Sequence, residues 1–140
     1  MSNKYLITVT GTQEIGGEEE TIEVITTGSY KEKDNIKIIE YNEYEDENTD
    51  KYTKTKIEIE GNKITITRTN IYTSILLLEK NERHQCHYQT EFGSVIMGVY
   101  TKDFTENLTK EGGDLYVDYQ IDFFSSYITN NKFHVNIKEN

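Results

Sequence analysis

The sequence has no proline, no tryptophan and one cysteine, and it lacks any long apolar run. The single cysteine, Cys86, excludes an intrachain disulfide framework. No stretch of about 18 consecutive apolar residues is present, and the start of the chain has no cationic segment followed by an apolar one. These absences predict a soluble, cytoplasmic protein. Without proline, its turns must depend on glycine, asparagine and aspartate.

Positive charge is also scarce, with 15 Lys and Arg residues against 25 Asp and Glu residues and a formal net charge of -10. A surface of this sign repels phosphate groups, and no basic stripe along the chain offsets it. We therefore expect neither nucleic acid nor a membrane among the partners of this protein.

The chain does contain short runs in which apolar and polar residues alternate, which is the pattern of half-buried strands. The clearest example is residues 53–70, where two such runs flank a two-residue Gly-Asn turn at 61–62. A loop of this length that begins with glycine predicts a β-hairpin. The hairpin places Ile59 opposite Ile64, and Arg68 falls on the same face as these isoleucines.

A second hairpin is indicated by the Gly-Gly pair at residues 16–17. A turn at this pair aligns Val9 with Val24, so the apolar faces of both strands match and the register is supported independently. Within the second of these strands, Gly28 predicts a bulge or a bend.

Further short runs predict additional strands, at residues 35–43, 74–79, 82–90, 92–101, 114–124 and 132–138. The run at 74–79 has apolar residues on both faces, and the run at 82–90 is polar. Residues 102–111 are the one stretch that could hold a helical turn, and Asn130-Asn131 is interpreted as a tight turn before the last strand. The predicted fold is all-β, with residues 1–140 as one domain. Its antiparallel meander of roughly eight to ten strands closes into a β-barrel, because closure removes the exposed edges. The interior of such a barrel is either filled by side chains or holds one small ligand.

Several short motifs follow one another in order along the chain. They are Thr26–Tyr30, Lys33, Tyr41–Glu43, Thr55–Ile57, Ile64–Arg68, Tyr88, Phe92-Gly93, Thr101, Gly113, Tyr119 and Asn131–Phe133. Their order and spacing resemble the YwiB-like family of small bacterial β-barrel proteins. This resemblance implies a calycin-like, lipocalin-related barrel. The family has no established function, so the resemblance implies no catalytic residue.

Arg68 is the first candidate functional residue, because an arginine on an apolar strand face is costly unless its guanidinium is paired. One interpretation is that it anchors the carboxylate or phosphate of a ligand at the mouth or floor of the barrel. The other is an internal ion pair that closes one barrel end, with Glu43 or Glu40 as the partner. The second interpretation is favoured, since the alternation of faces relaxes near the end of a strand.

Tyrosine side chains form a second set of candidates, since each combines an apolar ring with a hydroxyl group that can orient a small molecule. Together with Arg68, the candidate ligand-binding residues are Tyr30, Tyr41, Tyr88, Tyr119 and Thr55, the last of which faces Arg68 in the predicted hairpin. The same rings also suit a packed barrel interior, and packing is their favoured role.

Metal and catalytic sites are not indicated. His84 and Cys86 would share one face of a strand and His87 would lie on the other, so the three cannot ligate one ion. The acidic residues 45–47 lack the glycine and the ligand spacing of a calcium loop. No orienting third group accompanies Cys86. We therefore expect no metal, no cofactor and no catalytic residue.

Two functions stay open at this point. The first is non-enzymatic binding of a small amphipathic or anionic ligand in the barrel. The second is a structural or protein-interaction module with a filled barrel, in which the apolar segment Ile75–Leu78 contacts a partner such as a second copy of the chain. A cavity that exposes Arg68 favours the first function, and a solid interior that satisfies Arg68 favours the second.

Overall fold

The computed structural model describes residues 4–44, 51–90, 93–123 and 127–139, apart from the side chains of residues 88–90 and 127. Ten β-strands hold most of these residues, and none of the described residues is helical. The strands are β1 (Tyr5–Ile15), β2 (Glu18–Lys33), β3 (Ile36–Tyr44), β4 (Tyr52–Glu60), β5 (Lys63–Thr69), β6 (Thr73–Glu79), β7 (Arg83–Thr90), β8 (Gly93–Glu106), β9 (Gly112–Phe123) and β10 (Tyr127–Glu139). In the described ranges, no helix is long and apolar enough to cross a membrane.

The ten strands form one antiparallel sheet in which each strand pairs with its neighbour in sequence, except at the step from β6 to β7. β1 also pairs with β10, from Tyr5 opposite Glu139 to Glu14 opposite Asn130. This pairing joins the first strand to the last and curls the sheet into a nearly closed barrel. The predicted all-β antiparallel meander is confirmed.

The gap in the barrel wall lies between β6 and β7. Across it, the Leu77 amide donates a hydrogen bond to the sulfur of Cys86 at 3.5 Å. Where the chain turns from β6 into β7, a parallel bridge links Lys80 to Thr101 on β8. Cys86 is buried at this seam, so side-chain packing takes the place of a strand ladder.

Both predicted hairpin turns are present, and glycine is needed in each because the backbone enters the left-handed region. Gly16 has a φ of 59° and Gly61 a φ of 58°, a conformation that glycine adopts without the steric cost of a side chain. The first hairpin pairs Val9 with Val24. The second hairpin also has the predicted register. The glycine turns and the alternation of faces together fix how these strands align.

Alternation places one face of the strands inside the barrel, where the hydrophobic core lies. The largest fully buried side chains are Tyr5, Ile7, Ile39, Ile57, Ile64, Leu78, Leu108, Leu115, Ile137, Val99, Val135 and Thr55. Burial of this apolar surface is the main force that stabilises the barrel.

The segment between β8 and β9, residues 107–111, closes one end of the barrel. Its Leu108 side chain is buried in the core. The Leu108 carbonyl accepts a hydrogen bond from Lys37 Nζ at 2.8 Å, and its amide donates to Glu106 Oε1 at 2.9 Å. The Tyr5 hydroxyl donates to the Lys110 carbonyl at 2.7 Å. These bonds satisfy backbone groups that would otherwise be buried without partners.

The prediction of a helical turn within residues 102–111 is wrong. β8 continues as a strand to Glu106, and its ladder with β9 shifts register between Thr101 and Asp103. The irregularity interrupts the simple alternation of faces, so the sequence pattern no longer resembles a strand there.

The prediction of a tight turn at Asn130-Asn131 is also wrong. Both residues lie inside β10, where Asn131 pairs with Gln13 on β1 and with Tyr119 on β9. A strand held by a ladder on each side overrides the preference of asparagine for turns.

Gly28 is explained by close packing, since neither of the two ladders that meet at this residue has a register shift. A side chain at Gly28 would overlap the carbonyl oxygen of Glu40 and would lie 2.7 Å from Ile7 Cδ1 and 3.0 Å from Tyr41 Cβ. Glycine therefore allows β2 to pass from its pairing with β1 to its pairing with β3.

Candidate functional site

A cavity of about 550 Å³ lies at the barrel end opposite the closing segment 107–111. It is enclosed by the carboxyl-terminal halves of β1, β5 and β9 and by the amino-terminal halves of β6 and β10. These halves meet at one end because neighbouring strands of an antiparallel barrel run in opposite directions. The residues that the structure describes therefore fill one end of the barrel and line a cavity at the other, which we call its hollow end.

The wall of this cavity is apolar over most of its area, and half of its lining residues have polar side chains. The apolar lining includes Ile66, Leu76, Met97, Ile121 and Phe133, and the inward polar side chains include Arg68, Ser74, Tyr119 and Asn131. A concave, mainly apolar wall with a few placed polar groups is typical of small-molecule sites.

Arg68 lines the cavity and forms one ion pair, from its Nη2 to Glu43 Oε2 at 2.7 Å. The side chains of the pair are 42% and 24% exposed. An ion pair with this exposure adds no more than about 1 kcal/mol to stability. The guanidinium has several N–H donors, and its recorded bond to Glu43 uses one of them. Glu43, one of the two predicted partners, pairs with Arg68. The other N–H donors of the Arg68 guanidinium lie beside the cavity.

The other predicted partner, Glu40, does not reach Arg68. Its carboxylate lies near Lys31 and Lys54, at 3.9 Å and 3.7 Å. Glu40 pairs with Lys56 across the ladder, on the face that points away from the core. Glu40 and Glu43 are three residues apart on β3, and an odd separation places them on opposite faces of the strand, Glu40 outside and Glu43 inside.

Tyr119 lies on the cavity wall, where its ring meets Phe133 edge to face at 5.9 Å. Burial raises the pKa of the Tyr119 hydroxyl to about 12, and the nearby positive charge of Arg68 opposes that rise. Within the described part of the chain, no hydrogen bond to this hydroxyl is formed. Tyr119 is only partly buried, so its hydroxyl is accessible to a polar group in the cavity.

Tyr41 and Thr55 lie in one cross-strand row with Arg68, since β4 places Thr55 between the other two. Burial raises the pKa of Tyr41 well above its usual value, with Glu43 adding to the rise and Arg68 opposing it. Thr55 Oγ1 is buried, and among the described residues it has no partner at hydrogen-bonding geometry. These two residues support Arg68 from the barrel wall but do not line the cavity.

Tyr30 lies at the opposite, closed end of the barrel. Its hydroxyl donates to Glu32 Oε2 at 2.7 Å, and its ring meets Tyr5 edge to face at 6.0 Å. Burial, together with the bond to Glu32, raises the pKa of Tyr30 well above its usual value. The structure therefore does not bring Tyr30 together with Arg68. Tyr88 pairs with Val95 through its backbone, and its side chain lies outside the described part of the chain.

The residues considered for a metal site are dispersed. His84 Nε2 lies 2.8 Å from Glu79 Oε1, Cys86 is buried, and His87 is exposed. In the described ranges, no group of three His, Cys, Asp or Glu side chains is placed to hold a metal ion. The acidic residues 45–47 lie outside the described residues.

A second groove, of about 400 Å³, lies on the outer face of the barrel. Its central feature is the ring of Tyr116 stacked on His134, with centroids 4.2 Å apart. Asp103 and Asp118 stand directly opposite each other nearby. The groove is shallower than the interior cavity, so we place the candidate site inside the barrel.

The model of a family described as "Domain of unknown function (DUF1934)" matches residues 7–135. The chain belongs to this family. No curated protein matches its sequence. The DUF1934 chain is also similar to the crystal structure of the ywiB protein from Bacillus subtilis, with a TM-score of 0.87, 19% sequence identity and coverage of 99% of this chain and 93% of that one. At this identity the likeness concerns the fold alone.

Sequence reasoning missed part of the site of this DUF1934 protein. Ser74 stands opposite Arg68 in the ladder of β5 and β6, and Asn131 stands opposite Tyr119. Extending the register of the Gly61 hairpin into β6 would have found Ser74. Asn131 could not have been found, because it was assigned to a turn.

Proposed function

We propose that this protein binds a small amphipathic or anionic molecule in the hollow end of its barrel and acts as a carrier or sensor without catalytic activity. The observation that carries the proposal is the cavity of about 550 Å³ with Arg68 on its wall. Ligand cavities of proteins commonly measure about 300–1,000 Å³. The cavity is thus large enough for a small organic molecule.

The polar groups of the wall support this proposal. Arg68 engages a single carboxylate oxygen, and the Tyr119 hydroxyl has no hydrogen-bond partner among the residues described. Both side chains are partly exposed, so their polar atoms are accessible to a molecule in the cavity. A bound molecule with a polar end would complete these contacts while its apolar part covers the remaining wall.

Native mass spectrometry of the freshly purified protein tests the proposal. We expect a non-covalent adduct that disappears when the protein is denatured. Ser74→Phe places a ring in the cavity, so this variant should lose the adduct. The matched control is Thr67→Phe, which adds the same ring to the neighbouring strand at a position outside the cavity, and it should keep the adduct.

Two results would contradict the proposal. One is a wild-type protein that carries no adduct and takes up none from an extract of amphipathic metabolites. The other is an adduct that Ser74→Phe retains in full, because a molecule held in the cavity must compete with the added ring.

Self-association is a second candidate function, and exposed apolar side chains near the start of β6 favour it. Ile71 is 89% exposed and Ile75 is 52% exposed. Within the segment first considered as the contact surface, Leu78 is buried in the core and Leu76 lines the cavity. The proposed contact is therefore with a second copy of the chain, through Ile71 and Ile75. A dimer mass in the same native spectrum would support it.

A further inference from the structure

We infer that the ligand carries one carboxylate, which pairs with Arg68 and competes with Glu43 for that guanidinium. The inference rests on the proposed binding function. It adds the chemical class of the ligand and a residue of the protein that opposes its binding.

The polar end of the cavity offers a cationic donor group, the Arg68 guanidinium, to a ligand. Arg68 has only donors, and its recorded bond uses one of them. Tyr119 and Ser74 add hydroxyl groups on the same wall. An ionised carboxylate accepts hydrogen bonds and donates none, so it complements this arrangement. A planar guanidinium also matches a carboxylate with two parallel hydrogen bonds.

The charges around Arg68 favour a ligand with one negative charge over a ligand with two. Glu43 places a carboxylate oxygen 2.7 Å from Arg68 Nη2, Glu20 lies at the rim of the same cavity, and the whole chain has a formal net charge of -10. Lys132 also lines this cavity, so the two local cations balance Glu43 and Glu20. The net negative charge of the whole chain then opposes a second negative charge on the ligand.

The rest of the wall determines the body of the ligand. Ile66, Leu76 and Met97 contribute aliphatic surface, and Phe133 adds an aromatic ring. Burial of apolar surface against these side chains is favourable in proportion to its area. A hydrocarbon chain or ring attached to the carboxylate fits this wall, whereas a strongly polar body would lose its hydration without compensation.

The same geometry makes Glu43 a competitor of the ligand carboxylate for the Arg68 guanidinium. Its carboxylate already occupies part of the guanidinium, so an incoming carboxylate must displace it or share Arg68 with a like charge. In either case the negative charge of Glu43 lowers the affinity for an anion. Removing that charge while keeping the shape of the side chain should strengthen binding of the carboxylate.

Isothermal titration calorimetry with three probes of equal chain length, sodium octanoate, 1-octanol and octyl phosphate, tests the inference. On the wild-type protein, octanoate should bind at least about tenfold tighter than octanol, since a hydrogen bond to a charged group is worth more than a neutral one. Arg68→Met should remove that preference. Glu43→Gln should strengthen octanoate binding several-fold and leave octanol unchanged.

The outcomes separate the inference from the function on which it rests. If octanol or octyl phosphate binds as tightly as octanoate, the inference that the ligand carries a carboxylate is wrong, and the proposed binding function stands. If no probe binds, the binding function itself fails. If Glu43→Gln binds octanoate no more tightly than the wild-type protein does, Glu43 does not compete with the ligand. Circular dichroism checks that Arg68→Met folds, and if it does not, Arg68→Gln takes its place.

Discussion

Gly28→Ala is expected to lower the free energy of unfolding by about 3 kcal/mol. The added methyl group would overlap the Glu40 carbonyl oxygen and press on Ile7 Cδ1 at 2.7 Å. The nearest of these atoms belongs to the backbone of a paired strand, so it cannot move aside as the end of a flexible side chain can. Urea denaturation followed by circular dichroism measures the effect.

Gly11→Ala is the matched control, because Gly11 is also a strand glycine and a methyl group there would have no atom within 4 Å. Its stability should change by less than about 0.5 kcal/mol. Equal stability of the two variants would show that β2 and β3 do not approach each other closely at Gly28.

Leu108→Ala is expected to lower the free energy of unfolding by about 3 kcal/mol, because it removes a fully buried side chain and leaves a space that the barrel cannot collapse to fill. Leu108 is 1% exposed and closes one end of the barrel. The hydrogen bonds of its backbone to Lys37 and Glu106 hold the segment in place and limit relaxation around the new space. The same urea experiment measures the loss.

Leu6→Ala provides the comparison, since Leu6 is 39% exposed and removing it takes away much less buried surface. We expect a change below about 1 kcal/mol. If Leu108→Ala were as mild as Leu6→Ala, residues 107–111 would not close the barrel, and the interior would be open at both ends.

The hairpins could be predicted from the sequence because two independent signals agree there. A glycine turn sets the loop, and the alternation of faces then fixes the register, as in the pairing of Val9 with Val24. The turn proposed at Asn130-Asn131 had only the local preference of asparagine behind it. The two ladders that flank β10 decide the conformation instead, and a local reading of the sequence does not contain them.

The candidate site was predictable in part. The ion pair of Arg68 with Glu43 follows from strand register, because both side chains point inward at the same end of the barrel. The sequence groups Tyr30 with Arg68 only because a tyrosine ring and hydroxyl suit a ligand site. In the structure, Tyr30 contacts Tyr5 at the closed end of the barrel. Alternation tells which face a residue occupies but not its height in a tilted barrel. The cavity itself depends on how side chains from many strands add up in volume, which no single run of sequence reveals.

Methyl NMR during a titration with sodium octanoate tests the central claim, that the hollow end of the barrel holds a ligand, most directly. The account predicts that the signals of Ile66, Leu76, Met97 and Ile121 shift and saturate together, because these side chains line the cavity. Signals of Ile39 and Ile57, which lie in the core and do not line the cavity, should stay in place. Shifts confined to Ile71 and Ile25, which are exposed and do not line the cavity, or no shifts at saturating octanoate, would contradict the account.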